Sequence, residues 1–125
     1  MIAIDTSSFI AYLAGEEGAD IAAVETALAE NLACLPPVVL TELLSDPRLP
    51  IKVARFFLQM PHLAVRRGFW ERAGRLRARI LARRRRARLA DTLIAQTCLD
   101  HNLPLIARDR DYRHFARLGG LRLLP

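Results

Sequence analysis

Four carboxylates lie beside or within apolar segments of the sequence, where a charged side chain is unfavourable unless it has a partner. Asp5 directly follows the apolar start of the chain, and Asp109 lies just past a later apolar run. Asp91 is near the start of a predicted helix with apolar residues on nearly every side, and Glu42 lies in a short apolar helix. These four acids are the first candidates for chemistry.

Three or four carboxylates in one pocket repel one another, which raises their pKa values unless a hard cation such as Mg²⁺ or Mn²⁺ compensates the charge. A bound cation of this kind orients a water molecule, lowers its pKa and stabilises the charge that develops on a phosphate under in-line attack. No side-chain nucleophile is then required. Glu42 or Asp109 would position the attacking water or accept its proton.

Each acid also has an ordinary structural explanation. Asp5 can cap the helix that follows it, and Asp91 can complement a helix dipole in the first turn. Glu42 can be a solvated residue on an exposed helical face, and Asp109 or Asp111 can be turn formers. These structural explanations are sufficient for each acid taken alone. Only the arrangement of all the acids together can decide between a structural and a chemical role.

The apolar periodicity predicts the elements that position these acids. Strands are predicted over 1–4, 34–35, 63–65, 103–107 and 121–124. Helices are predicted over 6–14, 20–31, 38–43, 51–60 and 70–88, the last continuing without a clear break through 89–101. Strands that alternate with helices predict an α/β fold with a parallel sheet covered on both faces.

A parallel sheet predicts where a ligand site would lie, because ligand sites in such sheets lie beyond the carboxyl ends of the strands. Asp5 ends the first predicted strand, and Asp109 follows the strand predicted over 103–107. If these two strands are parallel, both carboxylates emerge at the same edge. They are then placed to share one ion.

Length and composition limit the other possibilities. With 125 residues and 52% hydrophobic content, the chain is expected to form one domain over 1–125. No signal peptide is visible at the start, and no apolar stretch reaches the roughly 20 residues that cross a bilayer, so we expect a cytoplasmic protein with no membrane partner. Cys34 and Cys98 lack neighbouring metal ligands and are expected to be buried thiols.

The chain is strongly basic, with a formal charge of +6 and 18 arginines against one lysine. Eleven of the arginines lie between Arg66 and Arg88, where Glu71 is the one acid. Such a local field favours a polyanionic or acidic partner.

Four short segments carry the candidate acids in order along the chain: IAIDTS at 2–7, VLTEL at 39–43, LADTLIA at 89–95 and LIARDRDY at 105–112. Each segment is a weak signal alone, but their order, spacing and context agree. Together they resemble the PIN-domain nucleases, in particular the VapC-like toxins of bacterial and archaeal toxin–antitoxin systems. The resemblance covers nearly the whole chain.

The resemblance implies a PIN-like three-layer α/β/α fold with a small parallel sheet flanked by helices. It also implies an Mg²⁺- or Mn²⁺-dependent endoribonuclease, which forms a homodimer and binds a small antitoxin protein. Asp5 and Asp91 would be the main metal ligands, with Glu42 and Asp109 completing the cluster directly or through water. Asp111 is a possible substitute for Asp109.

The sequence departs from the usual family pattern at two places. Ala107 stands where the family usually has Thr or Ser, so Thr6 or Ser7 is expected to supply the missing hydroxyl. The run of arginines at 83–86 is also denser than is usual just before the segment that contains Asp91.

Cationic side chains near the pocket would bind the phosphodiester backbone without reading its sequence. An acidic segment of the antitoxin is an equally good partner. The residues assigned to RNA or antitoxin contact are Arg83, Arg84, Arg85, Arg86 and Arg108. Two alternatives remain: a non-catalytic basic RNA-binding module, and a module that only binds an acidic partner protein.

Overall fold

The protein is described by a computed structural model covering residues 1–125. Four short strands form one sheet: β1 (Ile2–Ile4), β2 (Ala33–Cys34), β3 (Leu105–Ile106) and β4 (Leu123–Leu124). The strand order is β2-β1-β3-β4, and every neighbouring pair is parallel. The predicted parallel sheet is therefore confirmed, with strands shorter than predicted.

Seven helices connect and cover these strands. They are α1 (Thr6–Leu13), α2 (Ala19–Ala29), α3 (Pro37–Leu44), α4 (Ile51–Gln59), α5 (Phe69–Ala82), α6 (Leu89–Asp100) and α7 (Tyr112–Gly119). Pro37 occupies the first position of α3, where its missing N–H costs no helical hydrogen bond. None of the helices is both long enough and apolar enough to cross a lipid bilayer.

Helices cover the sheet on both of its faces. Successive residues of a strand point to opposite faces, and the neighbours Ala3 and Ile4 of β1 are both fully buried. The same holds for Leu105 and Ile106 of β3. The predicted α/β/α layering is confirmed. Its core is one cluster of 23 buried hydrophobic residues, which includes the free thiol of Cys34.

The basic helix predicted over 70–88 is wrong over its last six residues, and it does not continue into the next helix. α5 ends at Ala82, and the arginine run lies in a loop before α6 begins at Leu89. Arg84 adopts a left-handed backbone with φ of 57°, which cannot continue a right-handed helix. The side chain of Arg77 secures the far end of the loop by donating from Nε to the carbonyl of Ala87 at 2.8 Å.

Two other predictions also need correction. The strand predicted over 63–65 is reduced to a single bridge between Leu35 and His62. Helix α7 was not predicted, because Tyr112 and Phe115 are its fully buried side chains and basic residues dominate the rest. The C-cap of the helix is Gly120, which takes a left-handed φ of 80° that glycine adopts readily.

Candidate active site

The order in which the chain adds strands to the sheet reverses between β1 and β3. The chain passes from β1 to β2 on one side and later returns to β3 on the other, which creates a switch point at the carboxyl ends of β1 and β3. Asp5 directly follows β1, and Asp109 lies three residues beyond β3. The parallel pairing of these strands places both acids at the same edge, as the sequence predicted.

Asp5 is almost completely buried and is held by three donors. The hydroxyl of Ser7 donates to Oδ2 at 2.7 Å, and the backbone N–H of Ser7 points to the same oxygen at 3.4 Å. The hydroxyl of Tyr112 donates to Oδ1 at 2.7 Å. Asp5 is thus also the predicted cap of α1, so the structural and chemical interpretations of this residue hold together.

Asp91 lies half-buried in the first turn of α6. Its Oδ1 is 3.3 Å from the hydroxyl of Tyr112, whereas its Oδ2 is buried and has no hydrogen-bond partner. Burial, reinforced by the charges of Asp5 and Asp109, raises the pKa of Asp91 from 3.8 to about 6. The carboxylate therefore lacks the partner that its environment demands.

Tyr112 connects the two aspartates and had no role in the sequence analysis. It is fully buried at the start of α7, and its hydroxyl lies within hydrogen-bond distance of both Asp5 and Asp91. Burial, reinforced by the two carboxylates, raises the pKa of Tyr112 far above its ordinary value, so the hydroxyl remains a donor. The one sequence feature that could have identified Tyr112 is its position at the end of the LIARDRDY segment, which carries Asp109.

Glu42 lies on an exposed part of α3, beside the start of α1. The hydroxyl of Thr6 donates to its Oε1 at 2.7 Å, which ties Glu42 to the residue that follows Asp5. Thr6 and Ser7 thus each donate a hydroxyl to a candidate acid.

Asp109 and Asp111 form the turn that leads into α7. Oδ1 of Asp109 accepts from the backbone N–H of Asp111 at 2.9 Å, which is the turn-forming contact considered for it. Asp109 is also close enough to Asp91 to raise its pKa. Asp111 instead lies 3.9 Å from the guanidinium of Arg86.

The structure brings Asp5, Asp91 and Asp109 near one another, whereas Glu42 is linked to them only through Thr6. No three Asp, Glu, His or Cys side chains lie close enough together to hold a metal ion. The donor set nevertheless fits a hard cation, because the unpartnered Oδ2 of Asp91 is an anionic oxygen beside Asp5 and Asp109. Asp5 and Asp91, which share the hydroxyl of Tyr112, are the candidate pair to hold it.

Arg108 and the arginine run differ in their environments. The guanidinium of Arg108 forms two hydrogen bonds with the carboxylate of Asp20, at 2.9 and 3.0 Å, and a third with the carbonyl of Glu17. Its donors therefore bind within the chain and connect α2 to the end of β3, which argues against the predicted partner contact. The arginines at 83–86 are exposed, as a partner contact requires.

The sequence matches the PIN domain family over residues 2–118. Among curated proteins, no sequence shows a significant match. Solved structures with the same fold include VapBC2 from Rickettsia felis bound to a promoter DNA fragment, with a TM-score of 0.75, 18% identity and coverage of 98% of this chain and 97% of the other. FitAcB from Neisseria gonorrhoeae matches with a TM-score of 0.71, 17% identity and coverage of 100% and 97%.

FitAB bound to the IR36 DNA fragment is similar to the same degree. Its TM-score is 0.71, at 16% identity and with coverage of 99% of this chain and 94% of the other. Identities this low show a common fold and nothing finer. The family match spans β1 to α7 and so includes all four candidate acids. The chain therefore belongs to the PIN domain family.

Proposed function

We propose that this protein is a metal-dependent endoribonuclease and the toxin of a toxin–antitoxin pair. The observation that carries the proposal is the arrangement of Asp5, Asp91 and Tyr112 at the switch point of the sheet. One carboxylate there is fully bonded, while its neighbour has a buried oxygen without a partner. Building such a site costs stability, which is typical of functional sites.

Asp5 and Asp91 would bind Mg²⁺ or Mn²⁺, with Glu42 and Asp109 completing the set directly or through water. The bound cation would supply a water of lowered pKa and neutralise charge on the phosphate. Ser7 and Tyr112 fix the orientation of Asp5. Glu42 or Asp109 accepts the proton of the attacking water, and Asp111 is the substitute for Asp109.

The similar folds support a proposal for the partners of this toxin. The complexes VapBC2 and FitAB are named as assemblies, and we infer that this chain likewise binds a small antitoxin protein. An Arg or Lys of the antitoxin would neutralise Asp5 or Asp91. We also propose a homodimer, which sedimentation at micromolar concentration tests directly.

A non-catalytic basic module that binds RNA or an acidic partner is the second candidate. The exposed arginines at 83–86 favour it. This candidate does not explain the unfavourable environment of Asp91. A module that only binds a partner gains nothing from a carboxylate whose pKa is raised to about 6. Cleavage that depends on a divalent ion separates the two candidates.

The direct test uses the purified protein with a single-stranded RNA and a DNA of the same sequence. We expect the RNA to be cut in Mg²⁺ or Mn²⁺ and to stay intact in EDTA. Cleavage that persists in EDTA would contradict the metal-dependent mechanism. Stable binding of RNA without cleavage under any of these ions would favour the non-catalytic module.

Tyr112→Phe tests the link between the two aspartates. Removing the hydroxyl should lower the affinity for Mn²⁺ and the cleavage rate by about 10- to 100-fold, the usual effect of losing a partner that orients a metal ligand. Calorimetric titration with Mn²⁺ and a cleavage assay measure the two effects separately. Tyr12→Phe is the matched control, because the hydroxyl of Tyr12 makes no hydrogen bond within the chain. Equal Mn²⁺ affinity in the two variants would exclude an orienting role.

A further inference from the structure

A cavity of about 220 Å³ lies between the arginine loop and α7. We call it the basic pocket, and its lining residues are Arg83, Arg85, His114, Arg117 and Leu118. No acid lines it. The three arginines form neither an ion pair nor a side-chain hydrogen bond within the chain, unlike Arg72 and Arg108, which are both paired.

Three guanidinium groups around one small cavity repel one another, and solvent screens this repulsion only in part. An anion in the cavity removes the repulsion. Guanidinium forks match the geometry of phosphate oxygens, with two parallel N–H donors from each arginine. The imidazole of His114 adds a further donor, so the lining suits a phosphate group.

The basic pocket is directly connected to the acidic site through α7. Tyr112 begins this helix and contacts both Asp5 and Asp91, while Arg117 lies five residues further on. Five residues of α-helix span about 7.5 Å along the axis. Arg86 belongs to the same loop but does not line the pocket, and its guanidinium lies 3.9 Å from Asp111, the residue before the helix. A phosphate in the pocket is thus near the acidic site but distinct from the phosphate cut there.

A second basic cavity also reaches α7. It has a volume of about 460 Å³ and lies between α5, α6 and the end of α7. Arg75 and Arg79 line it without ion-pair partners, and Gly119 forms its edge. On the α7 side the two cavities are lined by His114, Arg117, Leu118 and Gly119, so basic side chains flank this helix beyond its first two residues.

We propose that the basic pocket binds a backbone phosphate of the RNA strand, next to the phosphate that is cut. This inference rests on the proposed ribonuclease function. RNA is favoured over an acidic protein because α7 carries both the pocket and the tyrosine that orders the acidic site. An RNA strand that lies along α7 would place its backbone over both the basic pocket and the acidic site.

The test compares Arg83→Gln/Arg117→Gln with a control that has the same net charge. Arg48→Gln/Arg55→Gln is suitable, because both arginines are exposed, unpaired and located outside the α5–α7 region. Binding of a fluorescent single-stranded RNA is measured in EDTA over a range of salt concentrations. The pocket variant should bind roughly tenfold more weakly, and its log–log salt slope should fall by about 1.4, or about 0.7 for each lost contact. The control should remain near wild type.

Cleavage with Mn²⁺ supplies the second measurement. The pocket variant should show a raised KM and an unchanged kcat at saturating RNA, since the pocket positions the substrate without touching the reacting atoms. Equal RNA affinity and salt slope in the pocket variant and the control would overturn the proposal. Normal RNA binding with loss of an acidic protein partner would also overturn it. If the wild-type protein binds RNA through the basic pocket but cuts no RNA, the pocket proposal stands and the ribonuclease proposal is refuted.

Discussion

Asp5→Asn and Asp91→Asn should each reduce metal-dependent RNA cleavage by more than about 100-fold, the upper end for residues that act on a metal through another ligand. Each change keeps the shape of the side chain and removes its charge. In the proposed mechanism Asp5 and Asp91 bind the cation, so the loss of either charge would remove a direct ligand. Initial rates on a single-stranded RNA in Mn²⁺, together with circular dichroism of each variant, provide the measurement.

The matched control is Glu25→Gln, which removes one negative charge from an exposed position on α2. It should cleave RNA at the wild-type rate. A general effect of net charge would change all three variants alike, whereas a site effect is confined to the two aspartates. Near wild-type cleavage by either aspartate variant would refute the proposed site.

The sequence was sufficient to predict the sheet and the edge at which the acids lie. Apolar runs separated by helical periodicity gave a parallel sheet, and a parallel sheet brings Asp5 and Asp109 to one edge. The acids inside apolar segments were found for a physical reason, because an unpartnered carboxylate is costly there. Asp91, with its buried and unpartnered oxygen, fits that reason directly.

The remaining features depend on contacts between distant parts of the chain. The hydroxyl of Tyr112 meets Asp5 across 107 positions, and Arg108 meets Asp20 across 88. No local pattern reports such pairs. The helix break at Arg84 was missed for a different reason, since arginine is a good helix former and rarely takes a left-handed backbone. Only the tertiary anchoring of the loop explains it.

The stability of the metal-free protein should fall as the pH rises from about 4 to about 6, and Asp91→Asn should remove this fall. The folded protein raises the pKa of Asp91 from 3.8 to about 6, so in this window the folded state binds more protons than the unfolded state. The stabilisation of the folded state by the proton on Asp91 is fully present below pH 4 and lost above pH 6. The opposite contributions of Asp20 and Asp100, whose pKa values are lowered by Arg108 and Arg72, fall below this window.

A shift of two pKa units corresponds to about 3 kcal/mol, and screening of this half-exposed group reduces the expected effect to about 1–2 kcal/mol. Urea unfolding in EDTA at pH 4 and pH 7 measures it for both proteins. Asp91→Asn should be the more stable protein at pH 7 and should match wild type at pH 4. Adding Mn²⁺ at pH 7 should stabilise wild type and leave Asp91→Asn unchanged, because only the folded wild type offers the paired carboxylates to the ion. If Asp91→Asn is less stable than wild type at pH 7 in EDTA, then Asp91 is an ordinary structural carboxylate and not a strained metal ligand.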